Sequence, residues 1–307
     1  MLFSVVIPSY NRAKLLPRAI ASVREQQFTD YEIIVVDDGS QDGTRERLQG
    51  AGSQIRYLWQ ENRGPGAARN AGIRAARGDY IAFLDSDDLW FPWTLSVFAR
   101  AIAEHGQPAI LGGHYIEFAD ESELLTMRSE QYKVQAFPDY LASSGHPFSV
   151  GSGTCVLRRR ELAGLNFLED RLNGEDHDLI LGMGTRRGFV QVVSPATLAW
   201  RRHPASETHD LAKAVSGGLR LVEREQLGAY HGGVERSLER HRILARHIRP
   251  LALACLRAGA IAQAWRLYRA TLRWNIALAH WRYVLAFPVL LVMALTSRVR
   301  GGSSRAA

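Results

Sequence analysis

Three carboxylates within four residues form the densest group of chemically active side chains in this sequence. Asp85, Asp87 and Asp88 directly follow an apolar run that ends at Leu84. Like charges this close are costly unless a cation or strong hydrogen-bond donors compensate them. Oxygen ligands favour a hard divalent ion, and Mg²⁺ is usually held by one or two carboxylates together with substrate phosphates. The cluster therefore predicts a Mn²⁺ or Mg²⁺ site, with an acidic cap on the following helix as the structural alternative.

Two loops nearer the start of the chain also carry polar side chains. The segment 8–11 (PSYN) follows the first apolar run, and 37–40 (DDGS) follows the second. Tyr10 offers a ring for stacking, and the paired carboxylates can accept hydrogen bonds from a base or a ribose. The structural alternative for both loops is turn formation and helix capping.

A run of small residues separates these loops from the acidic cluster. In the segment 62–72 (NRGPGAARNAG) the small residues let a helix pack tightly, while Arg69 projects. Glycines before a helix can also cradle phosphate through backbone N–H groups. The pattern is neither G-x-G-x-x-G nor a Walker A loop, which disfavours dehydrogenases and P-loop enzymes.

The elements that must position these motifs alternate between strand and helix patterns. Such alternation predicts βαβ units and an α/β fold with an open, mainly parallel, twisted sheet flanked by helices. Ligands of such sheets bind beyond the carboxyl ends of the strands, which is where the motifs lie. The predicted strands are 2–8, 31–36, 55–59, 79–84 and 109–116, and the predicted helices are 13–26, 42–49, 65–76 and 92–105.

The alternation lapses near residue 120, and the pattern is helical beyond residue 206. We predict an α/β domain over 1–206, with a regular half (1–118) and a less regular half (119–206), and a helical appendage over 207–307. Smaller features are strand-like pieces at 189–193 and 197–200, a helix after Gly174, helix interruptions at Gly217-Gly218, Gly232-Gly233, Pro250 and Pro288, and a helical hairpin over 251–274 that turns at Gly259.

Bulk composition excludes several classes of protein. A chain of 307 residues with 46% hydrophobic and 22% charged content can bury one large core plus a smaller one, so disordered and fibrous architectures are excluded. Cys155 and Cys255 form no disulfide framework, which predicts buried thiols in a reducing compartment. The start of the chain, 1–8, lacks the basic region of an export signal, so we expect a cytoplasmic location.

Taken together and in order, the motifs resemble those of the family 2 inverting glycosyltransferases with the GT-A fold. The matching pieces are VVIPSYNR, EIIVVDDGSQDGT, NRGPGAARNAG, GDYIAFLDSDD, NGEDHDL and WRRHPAS, which cover roughly residues 2–210. The resemblance implies that 1–206 is a GT-A catalytic domain, with a nucleotide-binding half (1–118) and an acceptor-side half (119–206). It implies that a sugar moves from a nucleoside-diphosphate sugar, most often a UDP-sugar, to an acceptor hydroxyl with inversion. It also implies cell-surface polysaccharide or glycolipid biosynthesis, with a glycan or a lipid-linked molecule as acceptor.

The resemblance implies that one group of residues binds the nucleotide sugar. Asp38, Tyr10 and Pro8 resemble the residues that hold the nucleotide base, and Arg69 resembles the arginine beside it. Asp85 resembles the D-x-D residue that faces the ribose.

A second group is implied to serve the metal and the catalytic step. Asp87 resembles the D-x-D residue that faces the metal, with Asp88 as a further candidate, and His203 resembles a loop residue near the diphosphate or the metal. Asp176 resembles the catalytic base, and Glu175 is its nearest rival. The structural alternatives are acids at a helix N-terminus and a plain surface histidine. The segment 165–170 (LNFLED) departs from the Gly-Phe-Asp-Glu run of the family, so we expect the acceptor side to differ in detail.

The last part of the chain is basic. An uncharged run of 15 residues, 283–297, is shorter than the ~20 residues that span a bilayer, which predicts an interfacial helix on the inner face of the cell membrane, with docking of this helix on the protein itself as the alternative. Nucleic acid is not expected as a partner because no binding motif is present. Residues 251–307 contain no acidic residue, eight arginines (Arg257, Arg266, Arg269, Arg273, Arg282, Arg298, Arg300, Arg305), and the tryptophans Trp265, Trp274 and Trp281.

Two other functions share some of these sequence features. A nucleotidyltransferase would share the nucleotide-binding half and the acidic metal site, but it needs a Gly-rich activating loop, and PSYNRAK is a poor match. A non-catalytic, membrane-associated glycan-binding protein with a degenerate transferase fold is the other alternative. The intact Asp85, Asp87 and Asp176 disfavour it.

Overall fold

A computed structural model describes residues 1–49, 55–148, 150–202 and 210–303. His203 and the predicted domain boundary after residue 206 lie outside these described residues. The chain divides into two compact units. One comprises Met1–Arg171 and Glu175–Ser206, and the other comprises Leu172–Gly174 and Glu207–Ala307.

The first unit is built on a large twisted sheet. Over the described residues it has eight strands, six of which run in the same direction, so the predicted mainly parallel sheet is confirmed. The strands are, in spatial order, β3 (Ile55–Trp59), β2 (Tyr31–Asp37), β1 (Phe3–Ser9), β4 (Tyr80–Phe83), β9 (Cys155–Arg158), β6 (Ile110–Gly112), β10 (Phe189–Ser194) and β8 (Lys133–Phe137).

Helices cover this sheet and bury its central strands. Every residue of β1 is buried, as is typical of a parallel strand with both faces covered. Full burial of one Val or Ile side chain contributes about 1.5–3 kcal/mol, so these continuous apolar runs are the main source of the unit's stability. The helices of the unit are α1 (Leu16–Arg24), α2 (Thr44–Gln49), α3 (Pro65–Ala75), α4 (Thr94–Glu104) and α5 (Glu175–Gly182).

The single strand predicted over 109–116 is wrong, because the chain passes there from one sheet to another. β6 ends at Gly112, and β7 (Tyr115–Phe118) belongs to a three-stranded sheet with β5 (Leu89–Trp90) and β11 (Leu198–Arg201). At the crossing the Gly113 amide donates to the Thr154 carbonyl oxygen at 2.7 Å. A β-carbon on Gly113 would lie 2.2 Å from Thr197 Oγ1, so only glycine fits.

The second unit is helical over its described residues, as predicted, and the hairpin turning at Gly259 is confirmed. Its helices are α6 (Leu211–Gln226), α7 (Ser237–Arg257), α8 (Ile261–Ala277) and α9 (Trp281–Ser303). The interruptions predicted at Pro250, Pro288 and Gly217-Gly218 are wrong, since these residues lie inside helices. Gly217 serves close packing instead, because a β-carbon there would lie 1.7 Å from the Asn173 carbonyl oxygen.

Candidate active site

The loops after β1 and β2 meet at the carboxyl edge of the large sheet. The Asp38 amide donates to the Ser9 carbonyl oxygen at 2.8 Å, and the Asn11 amide donates to Ser40 Oγ at 2.9 Å. Pro8 is buried as part of β1, whereas the Tyr10 side chain is about half exposed. The Tyr10 ring is therefore accessible to a planar ligand at this edge.

The Asp38 carboxylate organises the turn that leads into α3. It is buried, and it accepts hydrogen bonds from Gln60 Nε2 at 2.6 Å, from the Arg63 amide at 2.9 Å and from the Gly64 amide at 2.7 Å. A carboxylate offers about four acceptor positions, so these three donors use most of them. Asp38 thus holds the shape of the loop and keeps limited capacity for a further donor.

Arg69 joins two acidic segments that are far apart in sequence. Its guanidinium donates to Asp85 Oδ1 at 2.8 Å and to Glu175 Oε1 at 2.9 Å, and it lies 5.5 Å from the centre of the Phe167 ring. Burial lowers the pKa of Arg69, but the two carboxylates raise it by more, so the net shift is upward. Its Nε is buried without a hydrogen-bond partner among the described residues. Arg69 is a fixed positive charge between the acidic loop and α5.

The acidic loop after β4 presents three carboxylates in different surroundings. Asp85 is one-third exposed, and Asp87 Oδ2 lies 3.2 Å from Arg12 Nη2. Asp88 is buried, where it accepts a hydrogen bond from the Arg201 amide at 2.8 Å. Burial, reinforced by the negative charge of Asp85, raises the pKa of Asp88 well above its usual range.

Arg201, at the end of β11, holds the acidic loop in place. Its Nε donates to the Asp87 carbonyl oxygen at 2.9 Å, and its Nη2 donates to Glu121 Oε1 at 2.7 Å. The guanidinium lies over the Phe118 ring at 4.5 Å. Of the segment WRRHPAS, only His203 was predicted to belong to the site. Arg201 was not predicted, although its position at the end of a predicted strand was a usable signal.

The acidic loop has the donor set that suits a hard divalent cation. A β-carbon on Gly153 would lie 3.7 Å from both Asp85 Oδ2 and Asp88 Oδ2, so both oxygens border the same space. Over the residues that the structure describes, no group of three or more His, Cys, Asp or Glu side chains is arranged to hold a metal. A cation here would take few protein ligands and would rely on substrate phosphates and water for the rest, which is the usual pattern for Mg²⁺.

Asp176 lies in the first turn of α5, where two elements hold its carboxylate. Oδ2 accepts from the Ser152 amide at 3.2 Å, while Oδ1 accepts from the His177 amide at 2.7 Å and lies 2.8 Å from His177 Nδ1. Burial raises the pKa of Asp176, but His177 and Arg69 lower it by more, so the net shift is downward. Burial lowers the pKa of His177, and Asp176 reverses this to a net rise. His177 was not predicted from the sequence as a site residue.

Glu175 differs from Asp176 in its hydrogen-bond partner and in the direction of its pKa shift. Burial raises the pKa of Glu175, Arg69 opposes this, and the negative charge of Asp176 adds to the rise. Glu175 is therefore a stronger base than a free glutamate, but its carboxylate is already paired with Arg69. Asp176 stays ionised over the neutral pH range beside His177.

Asn70 fixes the segment that precedes α5 onto α3. Its Nδ2 donates to the Phe167 carbonyl oxygen at 2.9 Å, and its Oδ1 accepts from the Phe167 amide at 2.9 Å. Nδ2 also lies 2.9 Å from Glu169 Oε1. The segment 165–170, although it departs from the family's run, is therefore firmly attached to the helix that carries Arg69.

Comparison with known proteins gives the same family for most of this unit. Residues 4–164 match the model "Glycosyl transferase family 2". An uncharacterized glycosyltransferase from Nostoc sp. is 38% identical over 127 residues, which cover 40% of this chain and 39% of that protein. The GalNAc(5)-diNAcBac-PP-undecaprenol beta-1,3-glucosyltransferase of Campylobacter jejuni is 38% identical over 119 residues, 37% of this chain and 38% of that protein. The chain thus spans about two-fifths of the length of these two relatives.

Two solved structures have a similar fold. TarS of S. aureus (residues 1–349, in complex with UDP-GlcNAc) has a TM-score of 0.57 at 19% identity, over 90% of this chain and 92% of that chain. The mannosyltransferase PcManGT from Pyrobaculum calidifontis, in complex with GDP-Man and Mn²⁺, has a TM-score of 0.56 at 20% identity, over 95% and 86% of the two chains. At these identities the likeness concerns the fold.

Proposed function

The chain belongs to glycosyl transferase family 2 and has the GT-A fold, and we propose that it transfers a sugar from a nucleoside-diphosphate sugar to an acceptor hydroxyl with inversion. The observation that carries the proposal is the pairing of Arg69 with both Asp85 and Glu175, at 2.8 and 2.9 Å. This pairing brings the acidic loop, the buried guanidinium of Arg69 and the residue next to Asp176 to one place. Transfer of a sugar needs positive charge beside the diphosphate and a carboxylate near the acceptor hydroxyl.

We assign the donor side to the loops after β1, β2 and β4. The accessible Tyr10 ring stacks on the base beside Pro8, Asp38 shapes the loop that borders the base, and Asp85 accepts from the ribose hydroxyls. Arg69 supplies positive charge beside the diphosphate. A UDP-sugar is the first donor to test, and the UDP-GlcNAc bound by TarS supports that choice.

We assign Asp87 as the metal ligand of the acidic loop, with Asp88 as a secondary candidate. His203, in the segment outside the described residues, is a further candidate ligand. A bound divalent ion would neutralise the negative charge that grows on the departing diphosphate. Arg201 keeps the Asp87 backbone in position. The Mn²⁺ in the PcManGT complex supports a divalent ion as cofactor.

We assign the base to Asp176. The acceptor oxygen forms a bond to the anomeric carbon as the bond to the diphosphate oxygen breaks, and the acceptor proton passes to the Asp176 carboxylate. Ionised Asp176 is ready to accept that proton, and the Ser152 amide and His177 fix its direction. Glu175, held by Arg69, is the rival that the experiment below must exclude.

We propose a glycan or a lipid-linked glycan as acceptor, in cell-surface polysaccharide or glycolipid biosynthesis. The support is the Campylobacter relative, whose name describes transfer to an undecaprenol-linked glycan. Such an acceptor lies in a membrane, so the proposal also puts the working position of the enzyme at the cytoplasmic face of the cell membrane. Membership of the transferase family gives no support to a nucleotidyltransferase or to a non-catalytic glycan-binding protein.

Substitution of Asp176 by asparagine tests the proposal. Asp176→Asn should keep the rise in Tm that UDP with Mn²⁺ produces, because binding to the folded state alone stabilises it. It should abolish sugar transfer and donor hydrolysis across a panel of nucleotide sugars. Asp79→Asn is the matched control, since Asp79 is an exposed carboxylate at the opposite end of β4. Full transfer by Asp176→Asn, with loss of transfer in Glu175→Gln, would reassign the base to Glu175. The absence of a nucleotide-dependent shift in every variant would contradict the donor assignment.

A further inference from the structure

The outward face of α9 is apolar, which is unusual for a surface helix. One side of α9 is packed, since Phe287 is buried and stacks on Tyr268 of α8 with ring centres 4.5 Å apart. Tyr268 Oη also donates to the Val284 carbonyl oxygen at 2.8 Å. A surface helix normally turns polar residues away from its packed side. The exposed apolar residues of α9 are Trp281, Leu285, Val289, Leu290, Val292, Met293 and Leu295.

These side chains form a continuous stripe rather than scattered exposures. Leu285, Val289 and Val292 follow the spacing i, i+4, i+7, so they lie on one side of the helix. Their exposed fractions are 69%, 59% and 57%. From residue 283 to residue 297 the sequence contains no charge that could interrupt the stripe.

The apolar surface continues onto the start of α8. An open depression of about 640 Å³ lies where the start of α8 meets α9, and Trp265 of α8 lines it together with Leu291 and Leu295 of α9. Trp265 is itself partly exposed. A tryptophan at the rim of an apolar face is typical of residues that lie at a membrane–water boundary.

Exposed arginines occur on the neighbouring helix α8 and at the start of α9. Arg266, Arg269 and Arg273 follow the spacing i, i+3, i+7 on α8, and all three are exposed. Arg282 is exposed at the start of α9. No acidic residue occurs anywhere in 251–307, so this stretch of sequence supplies no carboxylate to neutralise them.

We propose that the exposed side of α9, with Trp265 and the arginines of α8, is a docking surface for an anionic lipid bilayer. α9 lies in the plane of the interface, its apolar stripe enters the acyl boundary, and the arginines meet lipid phosphates. Over the described residues no helix is long and apolar enough to cross a membrane. The uncharged run of 15 residues is about 22 Å long as a helix, against a hydrocarbon core of about 30 Å.

The positive charge of the arginines favours an anionic bilayer over other possible partners of this surface. A second copy of the chain would bring two sets of arginines together with no acidic residue from 251–307 between them, which like-charge repulsion opposes. A nucleic acid would satisfy the arginines but would leave the apolar stripe in water. Only a surface that is anionic outside and apolar inside complements both features.

Vesicle co-sedimentation of the full chain tests the proposal. Vesicles of phosphatidylcholine with about 30% phosphatidylglycerol have a negative surface potential, so they should bind the protein. Vesicles of pure phosphatidylcholine should bind it much less. Val289→Glu and Val292→Glu should each weaken binding at least about ten-fold, since each removes one buried apolar side chain from the bound state. Replacing Arg266, Arg269 and Arg273 by glutamine should weaken binding to the anionic vesicles about five-fold for each charge.

Val234→Glu is the matched control, because Val234 is 87% exposed in the loop between α6 and α7 and the charge change is the same. It should bind vesicles as the wild type does. Equal binding by Val289→Glu and the wild type would overturn the proposal. So would a concentration-dependent dimer of the wild type that Val289→Glu dissociates, because the stripe would then cover a second copy.

The inference rests on the proposed function only in expecting the acceptor at a membrane, and the two can fail separately. Vesicle binding is measured without nucleotide sugar, so Asp176→Asn should bind vesicles normally. Val289→Glu should retain hydrolysis of the nucleotide sugar in solution. Loss of vesicle binding together with intact hydrolysis in the wild type would refute the docking surface alone.

Discussion

Replacing His177 with asparagine tests how Asp176 is kept ionised and in position. His177 Nδ1 lies 2.8 Å from Asp176 Oδ1, and the two side chains are only 18% and 21% exposed. A charge-assisted hydrogen bond in such surroundings contributes about 1.5–3 kcal/mol. Asparagine keeps the backbone amide that also binds Oδ1 but removes the charge. We therefore expect His177→Asn to lower kcat about ten-fold or more, with little change in the KM for the nucleotide sugar.

The pH dependence separates this role from simple packing. His177 lowers the pKa of Asp176, so its loss should move the acid limb of the kcat/KM profile to higher pH. Stability should change as well. The raised pKa of His177 gives stability that is full below the ordinary histidine value of 6.5 and is lost as pH rises through the folded-state pKa. The lowered pKa of Asp176 gives stability that is present above 3.8 and is lost as pH falls.

The assay is denaturant unfolding of wild type and His177→Asn at pH values from 4 to 9, alongside pH–rate profiles. The difference in unfolding free energy should be largest, about 1.5–3 kcal/mol, between roughly pH 4 and 6.5, and it should shrink above that range. His105→Asn, at the end of α4 and outside the site, is the matched histidine-to-asparagine control. A difference that does not vary with pH, combined with an unmoved acid limb, would refute the ionised pair.

Three further predictions address the scaffold and the metal. Asn70→Ala should lower the unfolding free energy by about 2–5 kcal/mol in denaturant titrations, because it strands the buried amide and carbonyl of Phe167, whereas an effect below 1 kcal/mol would show that these groups find other partners. Asp87→Asn should raise the Mn²⁺ concentration needed for half-maximal activity about ten-fold while Tm stays nearly unchanged, since its pair with Arg12 is partly exposed; unchanged Mn²⁺ dependence would remove Asp87 from the metal site. Gly153→Ala should raise the KM for the nucleotide sugar, because its methyl group would enter the space beside the acidic loop, with a small shift of Leu198, whose Cδ2 would be 3.3 Å away; an unchanged KM would mean that substrate does not use that space.

Much of the parallel half of the fold could be predicted because its strands are buried on both faces. The runs that became β1 and β2 are continuous and β-branched, so their position and the loops after them follow directly from the sequence. β9 was not predicted, because its four residues follow a Gly/Ser-rich stretch and show no alternation. Its place between β4 and β6 depends on pairing across the sheet, which local sequence does not encode.

The chemistry of the site was easier to predict than its supporting contacts. Clustered carboxylates such as Asp85 and Asp87 are visible in the sequence because the types and the spacing are unusual. The contacts of Arg201 with the Glu121 carboxylate and of His177 with the Asp176 carboxylate depend on side-chain direction, which a single sequence does not give. Pro250 was predicted to interrupt a helix but lies inside α7. The surrounding packing there compensates for the missing hydrogen bond.

The most direct test of the central claim is the anomalous scattering of Mn²⁺ in crystals of the protein grown with UDP. We expect one Mn²⁺ peak in contact with the Asp87 carboxylate and with the diphosphate, with Arg69 beside the same diphosphate. Ordered UDP at another edge of the sheet, or a Mn²⁺ peak away from the acidic loop, would contradict it.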